Sequence, residues 1–242
     1  MTAATAAIAP APTSVAARVL DVWDETEALR TVRVALPPAW AEAHARPGQV
    51  VKLFAADQEG YFALASAPSS EGTADLLLKR GGRVADAAIV GAAPGSALDI
   101  SAPFGKGFPV EEARGRHLLL FAAGSGIAPI RSVVQHVLRR RSDFDRVTLF
   151  YGQRRRGDFA YGREHLSWER GGVRVVLCPS AESEEWCGVR GRVQEVARSI
   201  GFGGAALQTS IAFVSGMKAM VEAVKATLAG AGVPPASVHL NF

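Results

Sequence analysis

The chain has 242 residues, of which 48% are hydrophobic and 21% are charged, and its formal net charge is +4. This composition favours one or two packed domains and excludes an intrinsically disordered chain. No basic block is interleaved with aromatic residues, so a nucleic-acid partner is not expected. No apolar run reaches membrane-spanning length, and Cys178 and Cys187 lack the paired spacing of a metal site. We therefore expect a cytoplasmic protein without a metal centre.

The first residues differ in composition from the rest of the chain. Residues 1–15 are rich in Ala, Pro and Thr and contain no charged side chain, so they lack the basic start of a signal peptide. We interpret them as a flexible leader. An organelle-targeting segment is the alternative, because acidic residues are absent there as well.

Residues 16–113 have the pattern of a small antiparallel β-barrel. Short runs that mix apolar and polar residues are separated by Gly- and Pro-containing turns, which is typical of barrels. A short helical piece is predicted at 84–89, after Gly81-Gly82. The six predicted strands comprise two within 16–36, joined near 24–28, and those at 49–55, 60–66, 74–79 and 97–101.

Residues 114–242 have a different pattern, in which apolar runs alternate with helical segments such as 217–229. This alternation predicts an α/β domain with a doubly wound parallel sheet. We place the boundary in the charged stretch 111–116. The predicted strands of this domain are 118–123, 147–151, 173–177, 211–215 and 238–240.

The clearest local signal is the glycine turn that follows the first of these strands. Residues 118–123 are a continuous apolar run, and Gly124-Ser125-Gly126-Ile127-Ala128-Pro129 follows directly. Glycines permit a tight turn and close approach of a ligand, and Pro129 suits a first helical turn. The free N–H groups of a helix start favour a phosphate. A tight turn without a ligand is the alternative interpretation.

This stretch resembles the Gly-x-Gly-x-x-Pro motif that receives the nicotinamide nucleotide in the ferredoxin–NADP reductase family. Further segments resemble the family in the same order, and the final Asn241-Phe242 is similar to a branch with plant and bacterial members. The resemblance implies that the barrel holds FAD, or alternatively FMN, and that the second domain binds NAD(P)H. The supporting segments are 46–50, 62–68, 103–108, 151–154 and 214–217.

The resemblance also implies a set of flavin contacts, in which this chain departs from the family. The family motif Arg-x-Tyr-Ser, aligned on Ala65-Ser66, falls on Gly60, Phe62 and Ala63. Phe62 can still stack on a flat ring, whereas Gly60 supplies no cation and Ala63 no hydroxyl. The alternatives to these flavin contacts are that Phe62 and Leu64 are ordinary barrel core and that Arg83 is a solvated turn residue. The predicted contacts are Phe62, Ala63, Leu64, Ala65 and Ser66 on the strand and Gly82, Arg83 and Val84 on a turn.

For the nicotinamide nucleotide, the resemblance implies contacts at the ends of three strands. Arg154 suits a ribose or a 2′-phosphate but is equally well explained as a solvated loop residue, so NAD versus NADP stays open. Met217 also fits the core of its helix, and Tyr161 is a candidate neighbour of the adenine. The predicted contacts are Gly124, Ser125, Gly126, Ile127, Pro129, Gly152, Arg154, Gly216 and Met217.

Two residues are predicted to act at the reacting rings. Ser215 precedes Gly216 where relatives have Cys-Gly-Pro, and Phe242 is predicted to cover the flavin face. The predicted function is hydride transfer between NAD(P)H and a flavin, with electrons passed to a separate carrier such as a ferredoxin. The alternative is a non-catalytic nucleotide-binding or regulatory module that has lost the flavin.

Overall fold

A computed structural model of the protein describes residues 14–181, 186–202 and 207–241. It confirms the predicted two-part architecture, an antiparallel sheet that curls into a barrel followed by a parallel sheet between helices. The predicted leader lies almost entirely outside the described residues, and the first strand begins at Ser14. None of the helices in these ranges is long and apolar enough to cross a membrane.

The barrel is a six-stranded sheet with the strand order β4-β3-β6-β1-β2-β5. Its inward-facing aliphatic side chains form one core, which includes Val32, Leu53 and Ile100. A bridge between Leu64 and Leu76 brings the end of β4 back towards β5 and narrows the gap in the barrel. The elements are β1 (Ser14–Asp24), β2 (Leu29–Ala35), α1 (Pro38–Ala43), β3 (Val50–Ala55), β4 (Gln58–Ala63), β5 (Thr73–Lys79), α2 (Arg83–Gly91) and β6 (Ala97–Ser101).

The second domain is a parallel sheet with the strand order β11-β10-β7-β8-β9. The strand order reverses between β7 and β10, and ligands of such sheets bind beside the carboxyl ends of the strands at a reversal of this kind. Its elements are β7 (Leu118–Ala123), α3 (Ile127–Arg139), β8 (Val147–Gln153), α4 (Gly162–Arg170), β9 (Val173–Pro179), α5 (Val193–Ile200), β10 (Ile211–Ser215), α6 (Lys218–Gly230) and β11 (Val238–His239).

Both faces of strand β7 are covered by helices, so the domain has three layers, helix, sheet and helix. Leu118 and Leu120 pack into the core on the side of α3 and α4. Leu119 and Phe121 pack into the core on the side of α5 and α6. Because successive side chains of a strand point to opposite faces, a strand buried on both faces has a continuous apolar sequence.

Some predicted bounds were wrong. Strand β4 covers Gln58–Ala63 rather than 60–66, because a tight turn at Ala56 and Asp57, both with positive φ, starts the strand earlier. Helix α1 was not predicted from Pro37-Pro38. Pro38 occupies the first helical turn, where a missing N–H costs no hydrogen bond.

Candidate functional site

A single cleft of about 1170 Å³ separates the barrel from the carboxyl edge of the parallel sheet. Small-molecule pockets usually enclose roughly 300–1000 Å³, so this cleft has room for more than one small ligand. Both domains line it. The barrel contributes β4, the end of β5 and the start of α2, and the second domain contributes the loops after β7, β8, β9 and β10.

The glycine turn after β7 forms the centre of the sheet side of the cleft. Gly124 has a positive φ of 59°, and a Cβ built on it would meet nothing within 4 Å. A Cβ on Gly126 would lie 2.5 Å from the carbonyl oxygen of Ser215. Gly126 therefore allows α3 to begin in direct contact with the end of β10. Ser125 and Pro129 also line the cleft.

The end of β10 and the start of α6 form the neighbouring wall. Ser215, Gly216 and Met217 all line the cleft. Ser215 is 6% exposed, whereas Met217 is 73% exposed at the entrance. The alternative that Met217 packs in the core of its helix is therefore wrong. Met220, one turn further along, occupies that core position.

The ends of β8 and β9 and the start of α5 form the far end of the cleft. Gly152 and Arg154, both predicted, lie there together with Ser180, Arg192 and Gln194. Gln194 is 9% exposed, and its buried side-chain oxygen has no hydrogen-bond partner in the described part of the chain. Arg192 and Gln194 were missed, because nothing in residues 180–194 predicted that α5 would turn towards the cleft.

On the barrel side, the structure places Phe62, Ala63, Gly82, Arg83 and Val84 at the cleft. Lys79 also lines it and was missed in the sequence, although it ends a strand two residues before Gly81-Gly82. A Cβ on Gly60 would lie 2.9 Å from the Phe62 ring and 3.4 Å from Val84. A side chain at the position that aligns with the family arginine would therefore have to displace the Phe62 ring, which covers it.

Four of the predicted contacts do not line the cleft. Leu64 is fully buried in the barrel core, and Ile127, the first residue of α3, is fully buried in the core of the second domain. The N–H of Ala65 donates to Asp75 O at 2.7 Å. The hydroxyl of Ser66 accepts from Asp75 N at 2.9 Å. The polar groups of Ala65 and Ser66 are therefore engaged in hydrogen bonds with Asp75, and the side chains of Leu64 and Ile127 pack in the cores.

One further candidate, Tyr161, differs from its predicted position. Tyr161 is 1% exposed and packs beneath α3, so it is not beside the cleft as an adenine contact. Phe242 lies outside the described residues. Its neighbour Asn241 lines the cleft, is 3% exposed and donates to Gly48 O at 3.1 Å.

The charge of the cleft has one sign. Lys79, Arg83, Arg154 and Arg192 line it, and no carboxylate does among the described lining residues. These residues also include no cluster of His, Cys, Asp or Glu that suits a metal ion. A long cleft with cations and small residues at strand ends is suited to phosphate groups.

Together, the barrel, the parallel sheet and the cleft between them define a two-domain architecture with one cleft suited to phosphate-containing ligands. Residues 120–226 match the family described as oxidoreductase NAD-binding domain. Sulfhydrogenase 1 subunit gamma of Pyrococcus furiosus is 30% identical over 185 residues, which cover 74% of this chain and 63% of that protein. This chain therefore spans less than two thirds of the length of that relative.

Solved structures share the whole architecture. The ferredoxin reductase in carbazole 1,9a-dioxygenase superposes with a TM-score of 0.79 at 22% identity, over 97% of this chain and 70% of that one. A ferredoxin NADP+ reductase from Neisseria gonorrhoeae with bound FAD and NADP gives 0.78 at 18% identity, over 94% and 97%. These structures share the two-domain fold of this chain, and residues 120–226 match the NAD-binding domain that the sequence motifs predicted.

Proposed function

We propose that the protein is an FAD-dependent NAD(P)H oxidoreductase that passes electrons to a separate carrier protein. One observation carries this proposal. The residues at the barrel side and those at the nucleotide side line one continuous cleft, which contains four cations and no carboxylate among its described lining residues. A flavin accepts a hydride and releases single electrons, so it supplies the redox chemistry. The chain supplies binding, orientation and exclusion of water.

The residues of the cleft are suited to two nucleotides. Phe62 offers a flat apolar surface for a ring. The N–H groups at the start of α2, with Arg83 and Lys79 nearby, suit a pyrophosphate and replace the cation that is absent at Gly60. On the opposite wall, the turn at Gly124 leaves open space for a second nucleotide. Ser215 lines the cleft, and its hydroxyl would donate to the nicotinamide amide.

Three measurements on the purified protein test this proposal. We expect bound flavin with its visible absorbance, bleaching of that absorbance by NADH or NADPH without oxygen, and recovery on addition of ferricyanide or a ferredoxin. Extraction of the flavin distinguishes FAD from FMN, and comparison of NADH with NADPH settles the co-substrate. A protein that neither holds nor takes up flavin would support the alternative of a nucleotide-binding module, which the small residues at Gly60 and Ala63 favour.

Arg83→Ala should release flavin more readily. Arg83 lines the cleft at the start of α2, and a charge-assisted hydrogen bond is worth about 1.5–3 kcal/mol, or roughly tenfold to a hundredfold in affinity. The measurement is flavin affinity after removal and titration. Arg80→Ala is the matched control, because Arg80 lies three residues earlier and does not line the cleft. Equal flavin retention in both variants and the parent would reject the role.

Phe242→Ser should tighten the binding of oxidised nucleotide and slow its release, since an aromatic ring over the flavin competes with the nicotinamide. Stacking of this kind is worth about 0.5–1.5 kcal/mol, so we expect roughly a two- to tenfold change. Affinity and melting temperature are measured on the same variant. A lower melting temperature with unaltered affinity would show a hydrophobic plug instead.

A further inference from the structure

The two domains meet in a seam of polar contacts that helix α3 dominates. Gly48 N donates to the Ser132 hydroxyl at 2.8 Å, and Ala67 N donates to Gln135 Oε1 at 2.9 Å. Arg139, at the exposed end of the helix, donates to Pro68 O at 2.6 Å. The same helix begins with the glycine turn of the cleft, so these contacts connect the nucleotide side directly to the barrel.

Arg131 is the most deeply buried cation of this seam, with 4% of its side chain exposed. Its Nη1 donates to Ala65 O at 2.8 Å and to Asp75 Oδ2 at 3.0 Å. Its Nε and Nη2 donate to Glu164 at 2.8–3.1 Å. The guanidinium also lies 4.5 Å from the centre of the Tyr161 ring. All three guanidinium nitrogens therefore have hydrogen-bond partners. Two of the partner residues lie on the barrel and one lies on α4.

Asp75 and Tyr161 are themselves held in place. Asp75 is 1% exposed and accepts two hydrogen bonds from Arg33, at 2.7 and 3.0 Å. Tyr161 has a positive φ of 60°, a conformation that is costly for a residue with a bulky side chain. Its N–H donates to Glu25 Oε2 at 2.9 Å across the seam.

The arginines of this cluster are paired with carboxylates. Two arginines, Arg33 and Arg131, face two carboxylates, Asp75 and Glu164. Burial alone would lower the pKa of Arg131, but the hydrogen bonds that it donates to Glu164 and the charges of both carboxylates raise the pKa above its usual value. Arg131 therefore stays protonated, and its planar fork satisfies three acceptors that one ammonium group cannot reach together.

The barrel partners of Arg131 lie on β5 and just beyond the end of β4, the two strands that form the flavin side of the cleft. Ala65 is two residues beyond Ala63, and Asp75 is two residues before Leu77, and both Ala63 and Leu77 line the cleft. Arg131 itself lies five residues after Gly126. One side chain thus connects β5 and the segment after β4 to the helix that begins with the glycine turn.

We propose that Arg131 is a positioning residue that fixes the distance between the flavin strands and the nicotinamide turn. This inference rests on the proposed function. Hydride transfer depends steeply on the separation of the two rings, and a misplacement of about 1 Å can cost on the order of a hundredfold in rate. A guanidinium group that bonds β5 and the segment after β4 restrains that separation without contact with either ligand.

The test compares Arg131→Met with Arg139→Ala, a variant on the same helix whose lost contact is to Pro68, outside the cleft. Stopped-flow reduction of the flavin gives the hydride-transfer rate, and titration gives nucleotide affinity. We expect Arg131→Met to lower the rate on the order of tenfold to a hundredfold, with flavin content and affinity within about threefold of the parent. It should also weaken the long-wavelength charge-transfer absorbance. Arg139→Ala should match the parent.

A second readout does not depend on flavin reduction. In the nucleotide-free protein, amide hydrogen exchange across residues 60–66 and 73–79 should accelerate in Arg131→Met and not in Arg139→Ala. Asp75→Asn serves as the second variant if Arg131→Met does not fold. An unchanged rate and unchanged exchange in a folded variant, or equal losses in Arg139→Ala, would overturn the inference. A parent that NAD(P)H does not reduce would instead overturn the proposed function, and the exchange experiment would still decide the role of Arg131.

Discussion

Gly126→Val should reduce NAD(P)H affinity more than any other single change proposed for this chain. A Cβ at this position would meet the Ser215 carbonyl oxygen at 2.5 Å and Gly216 N at 2.9 Å. Both atoms belong to the backbone rather than to a flexible side chain. Either α3 or β10 must therefore move, and the glycine turn moves with it. Overpacking costs roughly 1–3 kcal/mol, which corresponds to a loss of up to about a hundredfold. Calorimetric titration with NADH and NADPH measures it.

Gly124→Ala is the matched control for this prediction. Gly124 has a positive φ, so alanine is strained there by roughly 1–2 kcal/mol, but its Cβ would meet nothing. We expect a smaller loss of affinity than in Gly126→Val, and near-normal flavin content in both variants because the barrel is unchanged. Unaltered affinity in a folded Gly126→Val would show that the turn is purely structural.

The structure changes the reason for this prediction. In the sequence, Gly126 was interpreted as a place where a ligand approaches the backbone. In the fold, its missing Cβ admits the end of β10, and the space open to a ligand lies at Gly124. A glycine pattern indicates that something approaches the backbone closely, but only the tertiary packing determines whether that neighbour is a ligand or another strand.

The fold was more predictable than the details of the site. Strand β7 was recognised because a strand buried on both faces must be apolar throughout, and its six residues are so. The seam residues Arg131 and Asp75 were not recognised. The two residues lie 56 positions apart in the chain, and an arginine within a helical pattern looks the same in sequence whether it faces solvent or a buried carboxylate.

Acidification should destabilise the protein well above the pH at which most carboxylates become protonated. His44 and His117 are each 3% exposed. Burial is the main cause that lowers both pKa values to about 4, and the charges of Arg139 and Arg146, respectively, add to it. The pKa values of His136, His165 and His239 are also lowered, again mainly by burial. Among the described residues, all five histidines therefore favour the neutral form in the folded state.

The direction of the effect follows from the two pKa values. An unfolded histidine titrates near pH 6.5, so between about pH 6.5 and pH 4 the unfolded chain binds protons that the folded chain does not. The contribution of the two neutral histidines to the free energy of unfolding is therefore complete above this pH range and is lost as the pH falls through it. At pH 5, each of the two histidines should cost about 2 kcal/mol. Together they should lower the melting temperature by on the order of 10 °C relative to pH 7.5.

His44→Leu isolates one of these contributions. The His44 Nε2 atom is buried and has no hydrogen-bond partner in the described chain, so leucine removes the titrating group without the loss of a bond at that atom. Melting curves from pH 7.5 to pH 5 should therefore show a shallower decline for His44→Leu than for the parent. Equal slopes would contradict the prediction, and so would a His44 ring signal that titrates near pH 6.5 by NMR. Because protonation of His44 destabilises only the parent, the variant should lose less of its pH 7.5 stability at pH 5 than the parent does.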